Sequence, residues 1–431
     1  MPYSLFELEN GQKFYYDSHT NTLYNPKKEV LNLNPENPIE WYEDEADQWD
    51  SDIKSDRPVN IRILLGHACN YNCTYCLQKD IGDPSERPLS LWIETFIESV
   101  KKNLNLDRLK RVDLWGGEPF LYWKDMVKIM DYLDDPEREF FISTNGSAFV
   151  EKHYEYFKNI KGQILINLSH DAFAQEKLRG KDVLKNPKKV EVLKKIVSLP
   201  NVRMAFGCVV SSDNYDLFEI NRYFKEFMER ENFPMTKVTF IPAKNYDVHG
   251  KDEYSAKYIL HGDDLNTFGN IMEKFIEESI KDPKGERILP NNIIHDTNSG
   301  VVSYAKFLKN QAPVVSTSTC GADSKKVLSV DIKGNIKLCP HTDDTFNAGR
   351  LEKLQEARIH GLDMKRKKTH CFKCNVKRLC KSSCPIKYTA DVFYMNCALE
   401  KVWNGKIQLA AMGLIFNQKV KLLEVGVPDI L

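Results

Sequence analysis

The stretch "IRILLGHACNYNCTYC", residues 61–76, decides the fold of this chain. An apolar run typical of a buried strand leads directly into three cysteines, Cys69, Cys73 and Cys76. The gaps between these cysteines are three residues and then two. A structural zinc site usually takes four protein ligands, often from paired C-x2-C units. Three thiols with one unsuitable gap favour another kind of metal centre at the end of a strand.

His67 is the nearby residue that would complete a zinc site, and this alternative stays open from spacing alone. A 4Fe–4S cluster held by three thiolates explains the count better, because its fourth iron is left open for another ligand.

Composition restricts the class of protein. The 431 residues are 42% hydrophobic and 28% charged, which indicates a globular chain. The formal net charge of +0 predicts no broad attraction to nucleic acid or to an anionic membrane. No apolar run approaches the roughly 20 residues that span a bilayer. The opening "MPYSLFELENGQKFYYD" is not a secretory signal, so a cytoplasmic location is expected.

Residues 58–245 alternate short apolar runs with amphipathic stretches. Six runs read as buried strands, and segments such as "LWIETFIESVKKNL" between them read as helices. This alternation predicts an α/β fold with a parallel sheet covered by helices and a site at the carboxyl ends of the strands. The six runs are "VNIRILL", "RVDLW", "EFFIST", "QILINLS", "VRMAFGCVV" and "TKVTFIP".

Four further regions flank this core. Residues 1–57 hold a predicted hairpin, "KFYYDSHTNTLYN", and an acidic stretch that is either a solvated linker or part of a peptide-docking module. Residues 246–315 are predicted to be a helical bridge. A cysteine-rich lobe follows at 316–400 and a helical tail at 401–431.

Ten of the eleven cysteines fall into two groups, as expected for metal ligands in a reducing cytosol. Cys208 stands alone in "VRMAFGCVVSS" and is predicted to be a small buried core residue.

The segment "CNYNCTYC" resembles the C-x3-C-x2-C signature of radical S-adenosylmethionine (SAM) enzymes. In that family the open iron of a 4Fe–4S cluster binds the amino and carboxylate groups of SAM. An electron from the cluster cleaves the S–C5′ bond, and the 5′-deoxyadenosyl radical takes hydrogen from the substrate. The resemblance implies a partial (β/α)6 barrel, and Tyr75 matches the aromatic residue common before the last cysteine.

Three more stretches follow successive predicted strands and resemble SAM-contacting motifs. "WGGEP" resembles the motif that receives the SAM amino group, "STNG" lies where relatives contact the ribose, and "SHDAFAQEKLRG" resembles a Ser-x-Asp segment with an arginine for the carboxylate. His170 is a departure, because a small or apolar residue is more usual between the serine and aspartate. The implied SAM contacts are Gly116, Gly117, Glu118, Pro119, Ser143, Asn145, Ser169 and Arg179.

The second cysteine group contains G-x4-C followed by C-x2-C-x5-C-x3-C and a final cysteine. A zinc ribbon would use four of these thiols and leave three over. The order resembles the SPASM extension of radical SAM enzymes, which carries two auxiliary 4Fe–4S clusters, for three in all. By resemblance, the outer cluster is held by Cys371, Cys374, Cys380 and Cys397, and the inner cluster by Cys320, Cys339 and Cys384. With three thiols, the inner cluster has either an open iron or a ligand other than cysteine.

SPASM proteins mostly modify peptides, so the resemblance implies a ribosomally made precursor peptide with a leader as partner, and a flavodoxin-like or ferredoxin-like electron donor. An intramolecular thioether, carbon–carbon or ether cross-link is the leading hypothesis. Sulfatase-maturase-like oxidation is the alternative. It is weakened because Pro340 stands where those enzymes have an aspartate that acts as the catalytic base. The predicted base is one of His341, Asp343 and Asp344.

Two other hypotheses remain. Epimerisation of a peptide residue would use Cys208 as a hydrogen-atom donor. A metal-stapled binding scaffold would hold zinc and cleave no SAM.

Overall fold

The computed structural model describes most of the chain. The described residues are 3–18, 20–33, 53–78, 81, 92–244, 257–296, 299–310, 320–322, 324–341, 347–358, 371, 374–381 and 390–427. Three predicted site residues, Asp343, Asp344 and Cys384, lie outside them, as does the acidic stretch of residues 36–52.

Thirteen strands and eleven α-helices make up the described fold. The strands are β1 Tyr3–Leu8, β2 Lys13–Asp17, β3 Thr22–Tyr24, β4 Asn60–Leu64, β5 Arg111–Trp115, β6 Glu139–Thr144, β7 Gln163–Ser169, β8 Val202–Val210, β9 Lys237–Pro242, β10 Val327–Asp331, β11 Asn335–Lys337, β12 Asn347–Arg350 and β13 Val420–Val427. The helices are α1 Ile93–Asn103, α2 Trp123–Leu133, α3 Glu151–Phe157, α4 Gln175–Arg179, α5 Pro187–Val197, α6 Leu217–Arg230, α7 Gly262–Lys281, α8 Asn292–His295, α9 Val301–Lys309, α10 Lys377–Cys380 and α11 Ala390–Phe416.

Strands β4 to β9 form the predicted partial barrel. Each pairs in parallel with the next along the chain, and helices connect them. Parallel neighbours need such crossovers, since a tight turn cannot return the chain to the same end. The α/β class and the six-strand barrel are therefore confirmed.

The two faces of the barrel sheet differ sharply. Side chains on one face are almost fully buried beneath the helices, as with Phe206 of β8, which stacks on Phe224 of α6 at 4.5 Å between ring centroids. The opposite face, here called the lumen face, carries polar and partly exposed side chains because successive residues of a strand alternate. The lumen face includes Arg62, Arg111, Asp113, Trp115, Glu139, Phe141, Ser143, Asn167 and Arg203.

The barrel sheet continues into the cysteine-rich lobe. Strand β10 pairs in parallel with β4, with Ser329 beside Arg62, and β11 and β12 add antiparallel strands to make nine in all. This connection places β11 beside the first barrel strand, and after β11 the segment that contains Cys339 meets the end of the first cysteine loop, where Gln78 Nε2 donates to Pro340 O at 3.1 Å. The hydrophobic pattern did not predict it, because β10 is separated from β4 by more than 260 residues.

A second, four-stranded antiparallel sheet has the order β13-β1-β2-β3. It contains the predicted hairpin, in which Tyr16 pairs with Leu23. The predicted helical tail needs a correction, because helix ends at Phe416 and residues 420–427 form strand β13 against β1. Long-range pairing with β1 decides this segment, and local periodicity cannot report such a partner.

Buried hydrogen bonds tie this sheet to the cysteine-rich lobe. The hydroxyls of Tyr16 and Tyr304 lie 2.9 Å apart, and Gln408 Nε2 donates to Tyr304 at 3.5 Å. Asn375, next to Cys374, donates to Gln408 Oε1 at 2.7 Å. Breaking any one of these hydrogen bonds would leave a buried polar group without a partner. We therefore expect the sheet and the lobe to keep a fixed position relative to each other.

In the part of the chain that the structure describes, no helix is long and apolar enough to cross a membrane.

Candidate functional site

The first cysteine loop begins where β4 ends. A turn with Cys76 N donating to Cys73 O at 3.2 Å shapes it, and Tyr71 N donates to Cys69 Sγ at 3.4 Å. Burial raises the pKa of the Cys73 thiol to about 11, with smaller contributions from the neighbouring Cys76 and Cys69 and with Arg179 opposing them. The three sulfurs therefore lie within electrostatic reach of one another, as the thiolates of one cluster must.

Gly117 lets the second strand's loop pack directly on the cysteine loop. A Cβ atom at this position would lie well under 3.0 Å from the carbonyl oxygens of His67 and Ala68. Gly117 N donates to Gly66 O at 3.0 Å, and the next residue's N–H donates to Ala68 O at 2.8 Å. The missing side chain is thus what allows two loops to share backbone hydrogen bonds beside Cys69.

Glu118 is fully buried and connects this loop to the third one. Its carboxylate accepts hydrogen bonds from Thr144 Oγ1 at 2.7 Å, Asn145 N at 2.8 Å and Phe120 N at 3.1 Å. Burial raises the pKa of Glu118 to about 6, although these three donors favour the charged form. The carboxylate holds the site loops together, and a contact with the SAM ammonium stays a prediction. Pro119 is buried at the start of the short 3₁₀ helix that follows.

The predicted ribose contacts line the next two strand ends. Asn145 Nδ2 donates to Asn70 Oδ1 at 2.9 Å, so it binds the cysteine loop itself. Ser143 Oγ accepts from Asn167 Nδ2 at 3.4 Å on the lumen face. Ser169 ends β7 at the same level and is partly exposed. The structure brings all three residues to the mouth of the barrel.

Arg179, Asp171 and Tyr75 form one buried cluster. Arg179 Nε donates to Asp171 Oδ2 at 2.8 Å, the Tyr75 hydroxyl donates to the same oxygen, and the guanidinium lies 5.4 Å from the Tyr75 ring centroid. A second Arg179 nitrogen lies 3.9 Å from Cys73 Sγ. Asp171 therefore positions Arg179, the residue predicted to bind the SAM carboxylate, beside the thiol of Cys73. The sequence indicated Asp171 only as part of the Ser-x-Asp motif.

His170, the departure from the family pattern, points away from this cluster. It is fully buried, with Nε2 2.8 Å from Asp182 Oδ1 and its ring stacked on Tyr223. Its presence therefore leaves Ser169 and Asp171 at the site.

Four cysteines of the second group come together. Burial raises the pKa of the Cys397 thiol, and Cys374 and Cys371 raise it further, while Lys401 opposes them. Burial, followed by Glu400, raises the pKa of Cys380, and Cys374 and Cys397 add to it. The four thiols assigned by resemblance to the outer cluster therefore lie within electrostatic reach of one another, and their role as ligands stays a prediction.

The inner set has two described members. Burial, with a smaller contribution from Cys320, raises the pKa of Cys339 to about 12, so these two thiols lie within electrostatic reach of each other. His341 N donates to Cys339 Sγ at 3.4 Å. The His341 ring meets Trp115 edge-on at 5.3 Å, which places it over the lumen face. Burial lowers its pKa to about 4, helped by Arg62 and His67.

Among the described residues, no three cysteine, histidine, aspartate or glutamate side chains converge as ligands of a single metal ion. The thiolates of a 4Fe–4S cluster bind different irons, so cysteine sets spread around a cluster fit the donor chemistry better.

Cys208 lies in the helix-packed core. It is fully buried in β8, on the same face as Phe206, and Asn214 Nδ2 lies 3.2 Å from its sulfur. This position supports the core interpretation and leaves the sulfur turned away from the lumen, which removes the basis for a hydrogen-donor role.

Sequence reasoning did not select several residues that shape the site. Asp171 organises the arginine cluster, and Tyr122 accepts the Ala68 N–H at 2.7 Å. Arg62 and Trp115 face the lumen. A charged residue inside the apolar strand "NIRIL" and an indole directly before the glycines were the available signals.

Comparison with known proteins identifies a related family and related folds. The Radical SAM superfamily model matches residues 63–205. The radical SAM cyclopropyl synthase TigE of Paramaledivibacter caminithermalis is 23% identical over 435 residues, covering 92% of this chain and 84% of TigE.

Two solved structures share the fold. The anSMEcpe structure with bound AdoMet aligns with a TM-score of 0.59 at 18% identity, covering 84% of this chain and 99% of that one. Streptococcus suis SuiB bound to precursor peptide SuiA aligns at 0.51 and 14% identity, covering 78% and 76%.

We expect Gly117→Ala to lose about four iron atoms per chain, because the added methyl group displaces the backbone that presents Cys69. Iron analysis and electron paramagnetic resonance (EPR) after anaerobic purification would measure this. Gly116→Ala is the matched control, since its Cβ would lie 3.2 Å from its nearest atom and a small shift suffices. Wild-type iron in Gly117→Ala would contradict the role of this close approach.

Proposed function

We propose that this enzyme, whose residues 63–205 match the Radical SAM superfamily model, matures a ribosomally made peptide by forming an intramolecular thioether, carbon–carbon or ether cross-link. The observation that carries this proposal is the pairing of β10 with β4, which joins a cysteine-rich lobe to the barrel mouth. An oxidative cross-link needs an outlet for a second electron, and clusters beside the barrel supply one.

SAM and a 4Fe–4S cluster at Cys69, Cys73 and Cys76 supply the 5′-deoxyadenosyl radical when bound. The residues of the chain keep that site in register. Gly117 lets the loops meet, and Glu118 fastens the third loop. Asp171 holds the Arg179 guanidinium beside Cys73, where its N–H groups favour the carboxylate of SAM.

We assign two auxiliary 4Fe–4S clusters, as in a SPASM lobe, to the second cysteine group. The mutual influence of Cys374, Cys380 and Cys397 supports the outer set, and the Cys320–Cys339 pair supports the inner one. Buried thiols that raise one another's pKa gain from binding metal, which takes them as thiolates. A cytoplasmic location, where thiols stay reduced, belongs to the same proposal.

His341 is the proposed proton acceptor among the three base candidates. Its Nδ1 is buried without a hydrogen-bond partner among the described residues, and its ring adjoins the lumen residue Trp115. This position of His341 fits removal of a substrate proton after hydrogen abstraction. A ferredoxin-like or flavodoxin-like protein is the proposed electron donor to the first cluster.

The proposed partner is a precursor peptide, in line with SuiB, which was solved with precursor peptide SuiA. We propose that the leader adds a strand to the outer edge of β13. Leu422, Leu423 and Val425 are exposed there, which is unusual for an edge strand without a partner. A cavity of 580 Å³ adjoins Leu422 and Val425 and reaches Cys374.

Anaerobic coexpression with short peptides encoded beside the gene tests the reaction. We expect one peptide to lose two hydrogens, and fragmentation to locate the link. Cys73→Ala should leave the mass unchanged, because the first cluster loses a ligand. A peptide whose mass is unchanged in ordinary water but that takes up deuterium when the reaction runs in heavy water would indicate epimerisation and contradict the cross-link.

The auxiliary clusters can be counted separately. We expect Cys374→Ala to lose about four of roughly twelve irons and to retain the first cluster's EPR signal. Cys208→Ala is the control, because its sulfur lies in the apolar core, and it should keep every iron. Zinc in place of iron in the cysteine-rich lobe of the wild-type protein would contradict the cluster assignment.

Leader docking is measured by fluorescence anisotropy of a labelled leader peptide. Leu423→Lys and Val425→Lys are expected to weaken binding about tenfold each, since charge on an edge strand disfavours added strands. Met235→Lys alters an even more exposed apolar residue elsewhere and should change nothing. Equal affinities for all the proteins would show that the leader binds another surface.

A further inference from the structure

We propose that Arg62 and Trp115 form a carboxylate-binding site on the lumen face. This inference rests on the proposed function, because the occupant we assign is an acidic side chain or the carboxyl terminus of the peptide substrate. It goes further by naming a chemical feature that the substrate must carry.

Two donors in the lumen lack partners among the described residues. Trp115 Nε1 is buried and donates to no acceptor. Arg62 uses Nε for Asp113 Oδ2 at 3.0 Å, and neither of its terminal nitrogens has a hydrogen bond in the described structure. An indole N–H and the free edge of a guanidinium are donors only, so they call for an acceptor.

Strand register brings these donors together. Arg62 pairs directly with Asp113, and Trp115 follows two residues later, on the same face. His341 contacts the Trp115 ring at 5.3 Å and is influenced by the charge of Arg62. The donors and the proposed proton acceptor therefore lie together on the lumen face, beside the segment that follows β11.

The charge of the lumen face favours an anion. Arg62 and Arg111 both pair with Asp113, and Arg111 and Arg203 both pair with Glu139. Three arginines against two carboxylates leave one positive charge in this ladder. Asp113 is nearly fully buried and already shared, so it does not neutralise Arg62 alone.

A carboxylate fits these donors better than a neutral carbonyl. Its two oxygens can accept from the Arg62 terminal nitrogens and from Trp115 Nε1, and charge-assisted bonds of this kind are the stronger ones. Leaving a buried donor unpaired costs about 1–3 kcal/mol, which substrate binding would recover. Held in this way, the peptide lies beside His341 Nδ1.

The carboxylate could come from the peptide or from SAM itself. The structure favours the peptide, because a separate arginine, Arg179, already lies at Cys73, where the SAM carboxylate is expected. The two sources differ in whether SAM competes with the peptide carboxylate for this site, and a competition experiment separates them.

Calorimetry on the anaerobic holoenzyme, with N-acetyl-aspartate N-methylamide as probe and its asparagine counterpart as control, tests the site. We expect the aspartyl probe to bind about tenfold more tightly, and saturating SAM to leave that preference intact. Trp115→Phe keeps the ring but removes the N–H, and Arg62→Gln removes the charge. Both should abolish most of the preference. Arg203→Gln removes an equal charge farther along the ladder and should retain it.

Equal binding of the two probes by the wild type would overturn the proposal. So would equal loss of preference in Arg203→Gln and Arg62→Gln, which would indicate a diffuse field. Displacement of the probe by SAM would assign the site to the cofactor. Trp115→Phe carries the test if Arg62→Gln fails to fold. No precursor peptide is used, so a failed coexpression experiment and a failed carboxylate site give separate results.

Discussion

The parallel pairing of β4 with β10 is the contact on which the rest of this molecule depends. Strand β4 presents the first cysteine loop at its carboxyl end, and β10 leads through β11 to Cys339. Strand β11 runs back antiparallel to β10, and the segment after it contacts the barrel mouth, where Gln78 Nε2 donates to Pro340 O at 3.1 Å and the His341 ring meets Trp115. The continuous sheet and these contacts together set the arrangement of the two cysteine groups, and neither lobe can move without breaking ladder hydrogen bonds.

Loops around the barrel mouth are held by backbone contact and buried charge. Gly117 packs against the carbonyls that precede Cys69, Glu118 accepts two hydrogen bonds from the third loop, and Asp171 orients Arg179 within the connection after β7. The first two contacts join loops of different strands, and the third holds Arg179 beside Cys73, so the protein itself positions the cysteine loop. Such preorganisation suits radical chemistry, in which a reactive species must meet one hydrogen and no other.

The lumen differs from the helix-packed core by a simple alternation. Residues such as Ile61 and Ile63 point toward the helices, whereas Arg62 between them faces the lumen. The same rule separates Cys208 from the reactive space. Burying a charged residue inside an apolar strand costs free energy unless the residue has a partner. Arg62 pairs with Asp113 through Nε, and its two terminal nitrogens form no hydrogen bond in the described structure. Unused donors of this kind mark where a substrate contributes what the protein lacks.

Sequence alone determined the six barrel strands, the helices between them, the predicted hairpin and the cysteine spacing, because each is written in local periodicity or short motifs. Tertiary structure decided the rest. Strand β13 forms where a helical tail was predicted, since its partner β1 lies at the other end of the chain. The grouping of Cys371, Cys374, Cys380 and Cys397 was available from the sequence only as a family resemblance. Arg62, Trp115 and His341 converge through strand register and packing, and such long-range contacts leave no local signal.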